Sequence, residues 1–476
     1  MANPSSPAEQ SPPASITELV AEIDALSREV AELRSIVVAR DGRIADLEAL
    51  LSESRRAGKR QAAPFSKAKP KEDPARPGRK SGKAHGRHGR RMVPTHWDHE
   101  LDAGLPDACP GCGGELEETE VTEQFQTEMP EPRPATTRFV VHVGRCRDCG
   151  KRVQGRHPDQ SSDALGAAGS QVGPRAKALA TWLHYGLGLS FGRCSEVLGR
   201  LGIPVSRGAL CQASATTSTD LVPTHQAIKD TVAASEVLTM DETGWRIGGY
   251  GAWLWAAATE DATLYDVAEG RGFDAATNLV PADYDGVIVR DGWAVYRCYD
   301  KATHQTCLAH LLRRCKEMEC DLADWARGTP RQVKDLLVES LEARELPEVE
   351  RAEAAFDLAE RIELLIAGAH PHDENRKLVA HLEREQDALF TFLTQPGVDA
   401  TNWRGETAIR PAVVNRKVWG GNRTERGATT QGRIMSFLRT ATQQGGDAIE
   451  MLVELARAPN PGVVGGLRLV TAGASS

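Results

Sequence analysis

The chain has 476 residues, 40% of them hydrophobic and 26% charged, with a net charge of −8. That length exceeds one core and implies two to four folded units of an ordinary soluble globular kind. No apolar run approaches the roughly 20 residues that cross a bilayer, and an N-terminus reading MANPSSPAEQSPPAS is no secretory signal, so no membrane contact and a cytoplasmic protein are expected.

After a tail over 1–15, residues 16–54 carry a heptad. One set of positions is Ile16, Ile23, Val30, Val37, Ile44 and Leu51; the other is Leu19, Leu26, Leu33, Arg40 and Leu47. Steps of three and four put all of them on one helical stripe. Ser15 with Glu18 makes a capping box at the start. Mostly β-branched residues at one position and Leu at the other favour a parallel two-stranded coil, hence a homodimer.

Residues 55–92 lack periodicity and are expected to be a disordered linker. Between 55 and 91 there are 14 Lys/Arg and 2 acids, a local balance of +12 that leaves −20 for the rest of the chain. Charge concentrated in this way suits non-specific contact with the phosphates of a nucleic acid.

Residues 93–160 hold Cys109-Pro-Gly-Cys112 and Cys146-Arg-Asp-Cys149. Ten cysteines in a cytoplasmic chain are a poor disulfide framework. Two Cys-x-x-Cys knuckles, with a strand-like run from Thr137 to Val143 between them, read as a zinc ribbon with four sulfur ligands to structural Zn²⁺. His142 would compete for a shell that four cysteines already fill.

Over 161–225 the pattern predicts helices. Ser190 caps one that runs through Leu201, Gly202-Ile203-Pro204-Val205 turns the chain, and Ser206 caps the next, with Arg207 at its N-terminus. That is the layout of a helix-turn-helix whose second helix enters the major groove, and also of any small helical bundle.

Residues 226–320 change to strands. Glu236–Asp241 is an apolar run ending in a carboxylate, Ala252–Ala258 and Thr263–Val267 are two more strands, a helix is expected over Gly272–Leu279, and Gly286–Arg290 is a buried strand ending at Asp291. This order matches ribonuclease-H-like folds, in which the first and fourth strands are neighbours. Asp241 and Asp291 would then share metal ions. Two Mg²⁺ roughly 3.5–4 Å apart activate one oxygen and neutralise another in phosphodiester chemistry, and Mg²⁺ (or Mn²⁺) prefers carboxylate ligands. Asp241 and Glu242 alternate in direction on a strand, so only one faces the metal; Asp241 is chosen, with Thr243 on its face. Helices are expected from Ala309, then over Gln332–Arg344, Glu348–Ala367 and Glu374–Leu393, which makes 321–400 a helical insertion before the second part of the core at 401–455 and a tail at 456–476.

The motifs Asp241-Glu242-Thr243, Arg271-Gly272, Asp291-Gly292-Trp293-Ala294-Val295-Tyr296, Cys307-Leu308-Ala309-His310 with Arg313-Arg314, and the segment holding Asn402, Glu406, Arg410, Pro411, Arg416 and Lys417 resemble those of insertion-sequence-66-type transposases, over nearly the whole chain. The resemblance implies an α/β ribonuclease-H-like core behind a coiled coil, a zinc ribbon and a helix-turn-helix. It implies Glu406 as the third catalytic carboxylate, and Mg²⁺-dependent cleavage at the ends of an insertion sequence followed by strand transfer. It also implies Cys307 and His310 as supports of the pocket; as a metal site of their own they supply only two ligands. Glu242, Glu317 and Glu425 are weaker choices for the third carboxylate. Arg207, Arg313, Arg314, Arg410, Arg416 and Lys417 are the candidate contacts to double-stranded DNA in the nucleoid, with helper proteins from the same element as further partners. The position after Glu406, usually Arg in the family, is Thr407. The other functions open at this point are a nuclease that hydrolyses without joining and a DNA-binding protein with a decayed core.

Overall fold

The computed structural model describes residues 93–470 apart from Pro130 and Ser170, together with scattered positions between 25 and 40. Among those positions Leu26, Val30, Leu33, Val37 and Arg40 of the heptad are helical and exposed; the other heptad positions and the linker at 55–92 lie outside the described residues. The chain divides into two compact units, 65–137 and the remainder.

The smaller unit holds the first Cys-x-x-Cys turn, in which Cys109 N donates to Gly114 O (2.9 Å) and Gly113 N to Cys109 O (2.8 Å). In the larger unit the second turn repeats the pattern, Cys146 N to Lys151 O (2.9 Å) and Gly150 N to Cys146 O (3.0 Å). Gly113 and Gly150 both sit at positive φ, 76° and 72°, which closes each turn without strain. The second turn joins strands β1 (Val143–Arg145) and β2 (Arg152–Gln154), paired antiparallel. The extended run expected from Thr137 is a strand only from Val143. Its residues are exposed except for the half-buried Val141; before Val143 the run keeps one ladder-like bond, Gly155 N to His142 O (2.9 Å), and a ring contact between Phe139 and His157.

Four helices follow: α1 (Pro174–Thr181), continued by a π turn to Gly186, α2 (Phe191–Arg200), α3 (Arg207–Asp220) and α4 (Val222–Ala233). The caps stand where the sequence put them. Ser190 accepts from Arg193 N and Ser206 from Ala209 N. Cys194, Leu198 and Leu210 knit α2 and α3 to Ala180 and Leu183.

The central sheet has five strands: β3 (Val237–Ile247), β4 (Tyr250–Ala258), β5 (Thr263–Ala268), β6 (Val287–Arg290) and β7 (Thr303–Thr306), in the spatial order β5-β4-β3-β6-β7. The first three are antiparallel neighbours; β6 lies parallel to β3, with Val237 opposite Val287, and β7 lies parallel to β6. β3 does not end at Asp241 but runs on to Ile247 in a hairpin with β4, so Asp241 is mid-strand and pairs with Ala256. Strand period fixes which face each side chain covers. Leu254, Ala256 and Trp245 pack on one face with α11 (Trp403–Trp419), α12 (Glu425–Gln443) and α13 (Ala448–Arg457). Leu238, Met240, Trp255 and Ile288 pack on the other with α4, the short α5 (Phe273–Thr277) and Tyr296.

Beyond β7 come α6 (Leu308–Asp321), α7 (Gly328–Ala343), α8 (Glu348–Ala367), α9 (Asp373–Glu385) and the one-turn α10 (Thr391–Thr394), sharing a core with Val287 and Val289 of β6. The single helix expected over Glu374–Leu393 is therefore broken after Glu385. The edge strand breaks it: Gln305 Oε1 accepts from Phe392 N (2.9 Å), Gln305 Nε2 donates to Leu389 O (3.1 Å), and Thr391 Oγ1 donates to His304 O (2.6 Å). No described helix is long and apolar enough to cross a membrane.

Candidate active site

Because side chains alternate along β3, Asp241 shares the face of Trp245 and Ile247, which α11 covers, while Glu242 shares the face of Met240 and Tyr296. The Glu242 side chain is only 2% exposed and is consumed by its own partners. Arg271 donates to it through Nε (2.8 Å) and Nη2 (2.5 Å), and the Tyr296 hydroxyl through a short bond. Arg271 in turn lies between two indoles, with its guanidinium carbon 4.4 Å from the Trp253 ring centre and 3.9 Å from that of Trp293. This cluster gathers the Arg271-Gly272 and Trp293–Tyr296 motifs around Glu242; composition and periodicity contain no signal for it.

Asp291 follows β6 directly, and its Oδ1 accepts from Trp293 N (2.8 Å). A Cβ on Gly292 would come within 2.8 Å of His381 Nε2 on α9, so a larger residue here would have to displace that ring. Glu406 is set by the start of α11. Asn402 Nδ2 donates to Met240 O on β3 (3.1 Å), Asn402 N donates to Cys307 Sγ (3.2 Å), and Glu406 N donates to Asn402 O (3.0 Å). Cys307 N is bound to Arg290 O (2.8 Å) and Leu308 N to Ala400 O (3.0 Å). The end of β6, the start of α6 and the start of α11 are thus laced to the residue before Asp241. A Cβ on Gly405 would overlap the Asn402 side chain, so the close approach depends on glycine.

The electrostatics follow the geometry. Burial pushes the Asp241 carboxyl up to about 7, and the charges of Glu242, Asp291 and Glu406 add to it against the pull of the Glu242 N–H. Asp241, Asp291 and Glu406 therefore lie in one field although 50 and 115 residues separate them. Beside them, Cys307, His310 and Glu406 offer donor atoms within 4.8 Å of one another, with His310 Nε2 3.9 Å from Glu406 Oε1. Burial alone would raise the Cys307 thiol, but His310 and the Asn402 N–H bring it below the usual range; His310 is raised, chiefly by Cys307.

The candidate DNA contacts are spread over the larger unit. Arg207 is exposed at the first turn of α3, and Arg313, Arg410 and Lys417 are exposed. Arg314 meets His381 Nδ1 at 3.0 Å, and Arg416 turns inward to Thr243 Oγ1 (3.2 Å) and Gly244 O on β3. Glu425 is exposed at the start of α12. Cys109 and Cys112 belong to the smaller unit, Cys146 and Cys149 to the larger. In each turn the first thiol is lowered by backbone N–H groups, those of Gly111 and Cys112 at Cys109 and of Cys149 and Asp148 at Cys146.

Residues 169–430, more than half of the chain, match the family model described as Transposase IS66 family. The chain is similar to the uncharacterized protein y4qI of Sinorhizobium fredii (strain NBRC 101917 / NGR234), 23% identical over 394 residues that cover 74% of this chain and 70% of the relative.

Proposed function

The chain belongs to the IS66 transposase family, and on that footing we propose that it cleaves DNA at the ends of an insertion sequence and joins the freed strands to a target, with Asp241, Asp291 and Glu406 as the metal-holding carboxylates. The observation that carries the proposal is the pinning of Glu406 to the strand of Asp241 through Asn402, with Asp291 in the same electrostatic field. The sheet order, three antiparallel strands followed by two parallel ones with Asp241 and Asp291 on neighbours, supports a ribonuclease-H-like core.

The donor set fits the ions. Three carboxylates are hard oxygen ligands of the kind Mg²⁺ or Mn²⁺ takes, and Asp241 carries a proton near neutrality that a cation would displace. Bound there, a pair of such ions would activate the attacking oxygen and neutralise the leaving one. The protein's own part is position: β3 and β6 fix the two aspartates, α11 delivers Glu406, and Arg271 with Tyr296 keeps Glu242 on the opposite face. Arg410, one turn beyond Glu406, stands exposed for the substrate phosphates.

Around this core, α2 and α3 act as the helix-turn-helix with Arg207 leading into the groove. Cys109, Cys112, Cys146 and Cys149 hold structural zinc, favoured by backbone N–H groups that already stabilise thiolate at the first sulfur of each turn. The 16–54 coil pairs two chains, and the basic linker holds phosphates.

The deciding experiment incubates full-length protein and Mg²⁺ with labelled element ends and a target plasmid. Joined products are expected. Cleavage without joining would make it a nuclease, and binding without cleavage a decayed copy.

A further inference from the structure

Two ligands, Cys307 and His310, make no metal site by themselves; the fold adds a third. We propose that Cys307, His310 and Glu406 bind one thiophilic divalent cation of the zinc class, and that filling this site withdraws Glu406 from Asp241 and Asp291, so that the cation inhibits the enzyme. The inhibitory half rests on the function proposed above, whereas the binding half does not.

The donor set is one sulfur, one imidazole and one carboxylate with a fourth position open, a pattern that zinc accepts and that Mg²⁺ does not. Cys307 is anchored: its N is bound to Arg290 O, its Sγ accepts from Asn402 N, and it is 1% exposed. His310 lies three residues along α6, on the same side of the helix. Its Nδ1 is buried and meets no partner in hydrogen-bond geometry. Its Nε2 stands 3.9 Å from Glu406 Oε1, too far for a hydrogen bond. Nitrogen and oxygen sharing a tetrahedral zinc stand roughly 3.3 Å apart, given bonds of about 2.0–2.2 Å. The three donor atoms already lie within 4.8 Å of one another, so modest side-chain shifts close the site. His310 and Glu406 have the room to make them, with side chains 41% and 48% exposed. The same burial of Cys307 argues against a thiolate nucleophile, since no substrate reaches its sulfur.

The test adds Co²⁺ to full-length protein that keeps its resident metal and follows the thiolate-to-cobalt charge-transfer absorption. The proposal expects one thiolate-bound cobalt per chain. Its band should be lost in Cys307→Ser, and its affinity reduced at least about tenfold in His310→Ala and Glu406→Gln, since even outer partners of a metal site cost that much. His310 and Glu406 are partly exposed, so those two variants test the site even where Cys307→Ser folds poorly. A band unchanged by all three substitutions, or none at all, overturns the site. A parallel assay adds Zn²⁺ to a cleavage reaction at fixed Mg²⁺, each protein scored against its own zinc-free rate. Wild type should be inhibited at least about tenfold more strongly than Cys307→Ser; equal inhibition overturns the inhibitory half. Should no form cleave in Mg²⁺ alone, the proposed catalysis fails while the cobalt spectrum still decides the site.

Discussion

Arg290 and Glu385 are buried together, with Nη1 2.6 Å from Oε2, one from the strand that leads into Asp291 and the other from the last turn of α9. Glu385 also holds Arg297 (2.7 Å) and accepts from Thr306 Oγ1 (2.5 Å). Burial alone would raise its carboxyl, but Arg290, Thr306 and Arg297 keep it below the usual range. The helices between Cys307 and Glu406 are thereby wired to the end of β6 that leads into Asp291.

Removing one member of such a group strands the other charge. Glu385→Ala is expected to destabilise the fold by about 3–5 kcal/mol, and the paired change Glu385→Leu with Arg290→Met to recover part of that loss. Chemical denaturation of the three proteins checks it; a cost under about 1 kcal/mol, the range of exposed pairs, would mean the group is solvated.

Gly405→Ala should push Asn402 off Met240 O and move Glu406. An overpacked site of this kind costs about 1–3 kcal/mol. Cleavage is expected to fall far more than that stability loss explains, while DNA retention in a gel shift stays near wild type.

The raised Asp241 carboxyl makes metal binding proton-linked. Below about pH 7 the ion must displace a proton, so apparent Mg²⁺ affinity is expected to fall by up to about tenfold per pH unit as the solution is acidified. In metal-free protein the sign for folding is set by the same shift. The folded carboxyl holds its proton more tightly than the unfolded one, so this group's contribution is full below the ordinary aspartate value of 3.8 and is lost as pH rises through about 7. Titration calorimetry and denaturation of wild type against Asp241→Asn read both slopes, and Asp241→Asn should flatten them.

Purified protein is expected to keep about one chelator-resistant zinc per chain. Cys109→Ser with Cys146→Ser should release it, since the thiolate stabilised in each turn is the one removed. Unchanged zinc content would place the metal elsewhere.

Local chemistry explains which features can be read from the sequence. Ser190 and Ser206 cap helices because a hydroxyl three residues before a backbone N–H is a local arrangement, visible in the sequence and present in the fold. The apolar strands before Asp241 and Asp291 are legible because parallel neighbours buried on both faces need unbroken apolar runs. β7 is not: Thr303-His304-Gln305-Thr306 has no apolar residue, and its burial comes from chain 80 residues away. The continuation of β3 past Asp241 is hidden by Glu242, Thr243 and Gly244, whose polar groups are satisfied by Arg271, Tyr296 and Arg416 from distant segments. For the same reason Cys307 and His310 read as a pair until Glu406, nearly 100 residues on, is folded beside them.

The stacking of Arg271 on Trp293 gives the site an optical reporter. The ring belongs to the residue whose backbone N–H holds Asp291 Oδ1. Any ligand that draws that carboxylate away loosens the bond, shifts the indole against the guanidinium and changes its emission. Nine tryptophans contribute to the protein's fluorescence, so the difference spectrum between wild type and Trp293→Phe would isolate this one and record occupancy of the pocket in solution without a label.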